Sequence, residues 1–192
     1  MFLPPASQHA GIKFNFTIVK DNEEIQFFTA TILEWKHLLK PDKYKDTIVE
    51  SLRFLSSAKR VVVFAFTIMP NHFQLIWQIK SPHKLADVQR DFLKFTAQQI
   101  MKDLEKHHPK VLEKFIVNAI DRKHQIWERN PLTIPIYSRE VLEQKLDYIH
   151  YNPVQEKWKL VVDAVSYPYS TMSFYEFGDK KFDFVKHYMD EI

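Results

Sequence analysis

The chain has no cysteine in 192 residues. Disulfides, thiolate zinc sites, iron–sulfur clusters and cysteine nucleophiles are therefore excluded. Glycine is nearly as scarce, with only Gly11 and Gly178. A loop that cradles phosphate with backbone N–H groups needs several glycines close together. A Walker-type ATPase and a dinucleotide-binding fold are thus excluded, and no nucleotide cofactor is expected. Long hydrophobic runs are also missing. The longest, Val61 to Phe66, falls far short of the ~20 residues that a spanning helix needs. The opening MFLPPASQ lacks the basic and apolar regions of a signal peptide. A cytoplasmic protein with no membrane partner is expected. Nor does one sign of charge dominate: 27 basic residues face 24 acidic ones, a formal net charge of +3. Binding to nucleic acid would have to rest on a local patch, not on bulk charge.

Aromatic residues are plentiful, at 15% of the chain with sixteen Phe, and 45% of the chain is apolar. That is the make-up of one packed domain, not of a disordered segment. Residues 1–10 read as a tail, 11–178 as a single domain, and 179–192 as a second tail of mixed charge. Ile12 to Val19 alternates apolar and polar residues and reads as a strand. The run Asp21 to Glu24 is a turn, and Ile25 to Leu33 a second strand closing a hairpin. A helix starts at Pro41-Asp42 with Ile48, Leu52 and Leu55 on one face. Val61 to Met69 and Phe73 to Ile79 are the next strands, joined by a Pro70-Asn71 turn. A long helix, Lys84 to Glu105, carries two apolar rows. One is Leu85, Val88, Phe92 and Phe95; the other is Leu93, Ala97, Ile100 and Leu104. Such width suits a sheet and a second protomer. Pro131 to Tyr137 is extended because of its prolines. Ser138 is a helix N-cap, and Val141 to Asn152 the helix it starts. Hairpins with helices segregated to a face define an α+β fold around an antiparallel sheet.

Two stretches could carry chemistry. In RVVVFAFTIMPNHFQLIWQIK, Arg60 to Lys80, His72 and Gln74 lie two residues apart and project from one face of a strand. In DYIHYNP, Asp147 to Pro153, the helical wheel buries Leu142, Leu146 and Ile149. It puts Tyr148 and Asn152 one turn apart on the flank of that stripe, and Tyr151 toward solvent. Pro153 is expected to disfavour helical geometry at Asn152 and end the helix there. One imidazole nitrogen and two amide oxygens from His72, Gln74 and Asn152 form a donor set for Mg²⁺ or Mn²⁺. A phenol ionises near pH ~10, so Tyr148 as a nucleophile needs the field of a metal or a nearby base. Arg122, Lys123 and His124 beside Trp127 form the best basic-aromatic patch for DNA contact. A solvated loop with a buried Trp fits those residues equally well.

FTIMPNHFQLIW resembles the MPNHxHLL signature of single-tyrosine HUH-type transposases, and KLDYIHYNPV is similar to their YIHxNPV helix. The family includes insertion-sequence transposases and REP-associated tyrosine transposases. The two motifs occur in the family's order with a long helix between them, and the resemblance spans Ile12 to Tyr175. It implies a ferredoxin-like or RRM-like antiparallel sheet flanked by helices. It also implies binding of single-stranded or hairpin DNA, metal-dependent cleavage and strand transfer, and a homodimer. Residue by residue, His72 matches the first metal-binding His, Tyr148 the nucleophile that takes the 5′ phosphate, and Asn152 the polar ligand on the same helix. Gln74 stands where the second His belongs, which trades an imidazole nitrogen for a neutral oxygen. The alternatives to a Mg²⁺- or Mn²⁺-dependent transposase are a catalytically impaired or repurposed DNA-binding protein and a metal-dependent hydrolase that uses water.

Overall fold

The computed structural model describes residues 24–191. The expected strand at Ile12 to Val19, and hence the expected hairpin, lies outside the described residues. Four strands form the main sheet: β1 (Ile25–Thr31), β2 (Val61–Ile68), β3 (His72–Ile79) and β6 (Leu132–Ile136). Their order is β2-β3-β1-β6, with every pairing antiparallel. Helix α1 (Asp42–Ser57) joins β1 to β2, and α2 (Leu85–His107) follows β3. This β-α-β-β-α-β connectivity and strand order make the fold ferredoxin-like α+β, as the sequence predicts. Pro135 lies in β6, at the edge of the sheet, where a residue without an N–H is tolerated.

The period-2 alternation of β3 decides what each face of the sheet does. Phe73, Leu75 and Trp77 point into the larger core, with Phe28 of β1, Ile48, Leu52 and Leu55 of α1, and Val88, Phe92, Ile100 and Leu104 of α2. Trp77 stacks on Phe28 at a 5.3 Å centroid separation. Each such fully buried side chain contributes ~1.5–3 kcal/mol. The second apolar row of α2 turns onto this same core, since Leu93 and Ala97 pack against it. Phe95 alone of the two rows is left exposed.

The intervening β3 residues, His72, Gln74 and Ile76, belong to the opposite face. There Ile25, Phe27, Phe64, Ala65, Ile76 and Ile136 meet Leu142, Leu146 and Ile149 of helix α4 (Arg139–Tyr151). A register shift between Val63 and Ala65 lets β2 supply both Phe64 and Ala65 to this second core. Ser138 caps α4 by accepting the Val141 N–H. Asn152 differs from expectation. Its backbone stays right-handed helical (φ −55°, ψ −42°), and the chain runs on into a 3₁₀ turn over Asn152–Val154. The steric preference set by Pro153 yields because the Asn152 side chain is held by bonds to β3, described below, and proline fits the first position of a helical turn.

Helix α3 (Pro109–Leu112) leads to a separate two-stranded sheet of β4 (Ile116–Ala119) and β5 (Arg122–His124). After α5 (Met172–Phe177), the segment set off in sequence as a tail packs into the domain. Phe182, Phe184 and Val185 enter the larger core, and Tyr188, which opens α6 (Tyr188–Glu191), enters the smaller one. Among the described residues, no helix is long and apolar enough to cross a membrane.

Candidate functional site

Gln74 lies between Thr29 of β1 and Thr67 of β2 in the sheet register. His72 precedes it by two and shares its face. The end of α4 brings Asn152 down onto this pair. Its Nδ2 donates to Gln74 Oε1 at 2.9 Å and to His72 Nε2 at 3.2 Å. All three side chains are buried. The structure therefore joins two motifs that lie some eighty residues apart.

Asn71 sets the chemistry of the imidazole. Its Oδ1 accepts the His72 Nδ1–H at 2.8 Å, while its Nδ2 donates to the Trp35 carbonyl at 3.2 Å. With the proton on Nδ1, the Nε2 lone pair faces the centre of the site, the tautomer that a metal ligand needs. Burial holds the ring neutral: the His72 pKa falls to about 4, chiefly through desolvation and further through the Lys157 ammonium.

Two buried oxygens beside Gln74, Thr29 Oγ1 and Asn152 Oδ1, have no hydrogen-bond partner among the described residues. Orphaned polar atoms of this kind mark room for a water or an ion. The donor set accordingly fits a divalent cation in one setting of the Asn152 amide. With Nδ2 inward, the amide closes the triangle by itself. A half-turn puts Oδ1 beside His72 Nε2 and Gln74 Oε1, and the three acceptors then converge on a point that a cation would satisfy. The set is wholly neutral, and among the described residues no group of three or more His, Asp or Glu is placed to hold a metal. Weak affinity follows from that neutrality. Asn152→Ala removes both donors at once and is expected to cost ~1–3 kcal/mol, read as a lower urea midpoint at unchanged slope.

Tyr148 sits one helical turn before Asn152 and is 45% exposed. Its ring packs edge-on against Phe27 at 6.2 Å. Lys145, one turn earlier, holds its ammonium 4.9 Å from the Phe27 ring and 5.9 Å from that of Tyr148. Tyr151 is exposed too, without joining this group. The sequence reading missed Lys145, although its i, i+3 spacing to Tyr148 was there to see. It took Asn71 only as a turn residue, although it adjoins His72.

The basic patch is arranged otherwise. Arg122 and Lys123 are exposed on β5, and Arg122 pairs with its neighbour Asp121 at 2.5 Å. Trp127, the expected stacking partner, is buried and donates its Nε1–H to Thr96 Oγ1 at 3.1 Å. It packs against Phe73 in the core because its ring is worth more there than in water. Among the described residues, none of Arg122, Lys123 and His124 shares a hydrogen bond or ring contact with His72, Gln74, Asn152 or Tyr148.

The antiparallel α+β sheet and its flanking helices make a transposase-like fold. No protein-family model and no curated protein matches the chain. Among solved structures, a REP-associated tyrosine transposase bound to a REP hairpin superposes with a TM-score of 0.58, at 18% identity over 78% of this chain and 77% of that one. A candidate transposase from Deinococcus radiodurans R1 superposes more loosely, with a TM-score of 0.46 at 15% identity over 68% of this chain and 91% of that one.

Proposed function

We propose that this protein is a DNA-processing enzyme of the single-tyrosine HUH type, with Tyr148 as the nucleophile and His72, Gln74 and Asn152 as the holders of Mg²⁺ or Mn²⁺. The observation that carries this reading is the meeting of His72 Nε2, Gln74 Oε1 and the Asn152 amide one helical turn from an exposed tyrosine. The fold it shares with a hairpin-bound transposase supports DNA as the partner. The ion, when bound, polarises a phosphate oxygen. The Tyr148 oxygen attacks phosphorus, its proton leaves to solvent, and a phosphotyrosine bond forms to the 5′ side. The broken P–O bond leaves a 3′ oxygen that takes a proton from water. One phosphodiester replaces another, so the step is reversible. The Lys145 ammonium, 5.9 Å from the Tyr148 ring, would favour a developing phenolate there by its charge. A homodimer is part of the same proposal.

The test is a denaturing gel of the protein with Mn²⁺ and labelled single-stranded oligonucleotides from the DNA flanking its gene. A metal-dependent shifted band supports the enzyme. A second reading, metal-free binding of single-stranded or hairpin DNA, is favoured by one observation: Asn152 Nδ2 already satisfies both His72 and Gln74 without an ion. Tight binding in EDTA with no band would establish that reading in its place.

Gln74→His restores the second imidazole of the motif. Mn²⁺ affinity is expected to rise at least ~10-fold, since nitrogen suits this ion better than a neutral amide oxygen. Calorimetric titration reads it. No change in either affinity or cleavage would remove Gln74 from the metal set.

A further inference from the structure

The loop after β1 carries an exposed tryptophan on a backbone that ordinary residues avoid. Trp35 is 62% exposed. Both Glu34 (φ 54°) and Trp35 (φ 56°) lie in the left-handed region. Neither is glycine, so this conformation is unfavourable and persists only because surrounding bonds impose it. Those bonds run to the turn that precedes His72. Ile32 N–H donates to the Asn71 carbonyl and Leu39 N–H to the Pro70 carbonyl, each at 2.8 Å. The Asn71 amide donates to the Trp35 carbonyl at 3.2 Å, and its other atom orients His72. From the far side, Glu34 N–H donates to the Glu128 carboxylate at 2.6 Å. The loop is thus fastened to the side chain that sets the His72 tautomer.

The outcome is a row of rings. Trp35 lies 6.3 Å from His72, His72 5.6 Å from Trp158, and Trp158 6.0 Å from His37. Lys157 holds its ammonium 5.7 Å from the Trp158 ring. Ordinary folding buries tryptophan, as it does Trp77 and Trp127 here. Strain spent on holding a large apolar ring in water, beside the candidate site and near the exposed Lys157 ammonium, points to a ligand with a flat apolar face and an anionic backbone. An unpaired nucleotide has both.

We propose that Trp35 is a stacking platform for one unpaired base of single-stranded DNA, next to the phosphate that sits at the His72–Asn152 site, with Lys157 serving the backbone. This rests on DNA as the partner, not on cleavage. Every base has a π-face, so the platform fixes the position of the strand without reading its sequence.

The experiment compares a labelled single-stranded oligonucleotide with one of equal length whose sugars are all abasic, by fluorescence anisotropy with EDTA present. Wild-type protein should prefer the base-bearing strand. Trp35→Ala should weaken that strand by about 5- to 100-fold and leave affinity for the abasic strand and the salt slope unchanged. Trp35→Phe should recover most of the loss. Equal weakening of both strands, or no weakening, would overturn the platform while leaving DNA binding intact. If wild-type protein binds neither strand, DNA as partner fails and the platform with it.

Discussion

Tyr148→Phe should eliminate the covalent protein–DNA band and reduce strand cleavage by at least ~1,000-fold, the scale of effect when a nucleophile is removed. The same substitution should leave the fold and DNA affinity nearly unchanged. The phenyl ring keeps its edge-on contact with Phe27 at 6.2 Å. The hydroxyl that is lost has no hydrogen-bond partner among the described residues, and the residue is half exposed. Exposed changes of this kind cost within ~0.5 kcal/mol. Loss of chemistry with stability retained is therefore the signature of a nucleophile, whereas a residue that only packs would lose neither, because Phe keeps the ring. Tyr151→Phe is the matched control, since Tyr151 is on the same helix and similarly exposed. A band that survives Tyr148→Phe and vanishes in Tyr151→Phe would reassign the nucleophile.

Stability should fall as pH drops from ~6.5 toward 4, a loss that begins above the range in which ordinary carboxylates protonate. Two buried imidazoles are held neutral. Desolvation lowers the pKa of His72 to about 4, aided by Lys157, and that of His150 to about 4 by burial alone. In the unfolded chain both return to ~6.5. The unfolded state thus binds more protons between these values, so stability rises with pH across that window. The full contribution is present above pH ~6.5 and is lost as pH falls toward 4. Each group accounts for ~3 kcal/mol, and the pair for a large part of the ~5–15 kcal/mol that holds an ordinary domain. Urea denaturation at pH 7, 5.5 and 4.5 measures the slope. His150→Gln isolates one half of it. His150 Nε2 shares a bond of 2.9 Å with Thr171 Oγ1, away from the His72 group, so the other half should remain. A flat profile from pH 7 to 4.5 would show that neither imidazole is as buried in solution as here.

The sequence by itself determined the faces. Alternation along β3 separates His72 and Gln74 from Phe73, Leu75 and Trp77. The 3.6-residue period of α4 buries Leu142, Leu146 and Ile149 and leaves Tyr148 on the flank. These patterns survive folding because each depends on the geometry of a single element. Only the tertiary structure decided which partners those faces meet. It kept Asn152 helical against the preference set by Pro153, because two side-chain bonds to β3 outweigh a local steric bias. It buried Trp127, drew the aromatic segment after Gly178 into both cores, and held Trp35 out in solvent on a strained backbone. None of these has a local period to read. Each is fixed by a contact with residues distant in the chain, and the free energy of such a contact exists only once the sheet has assembled.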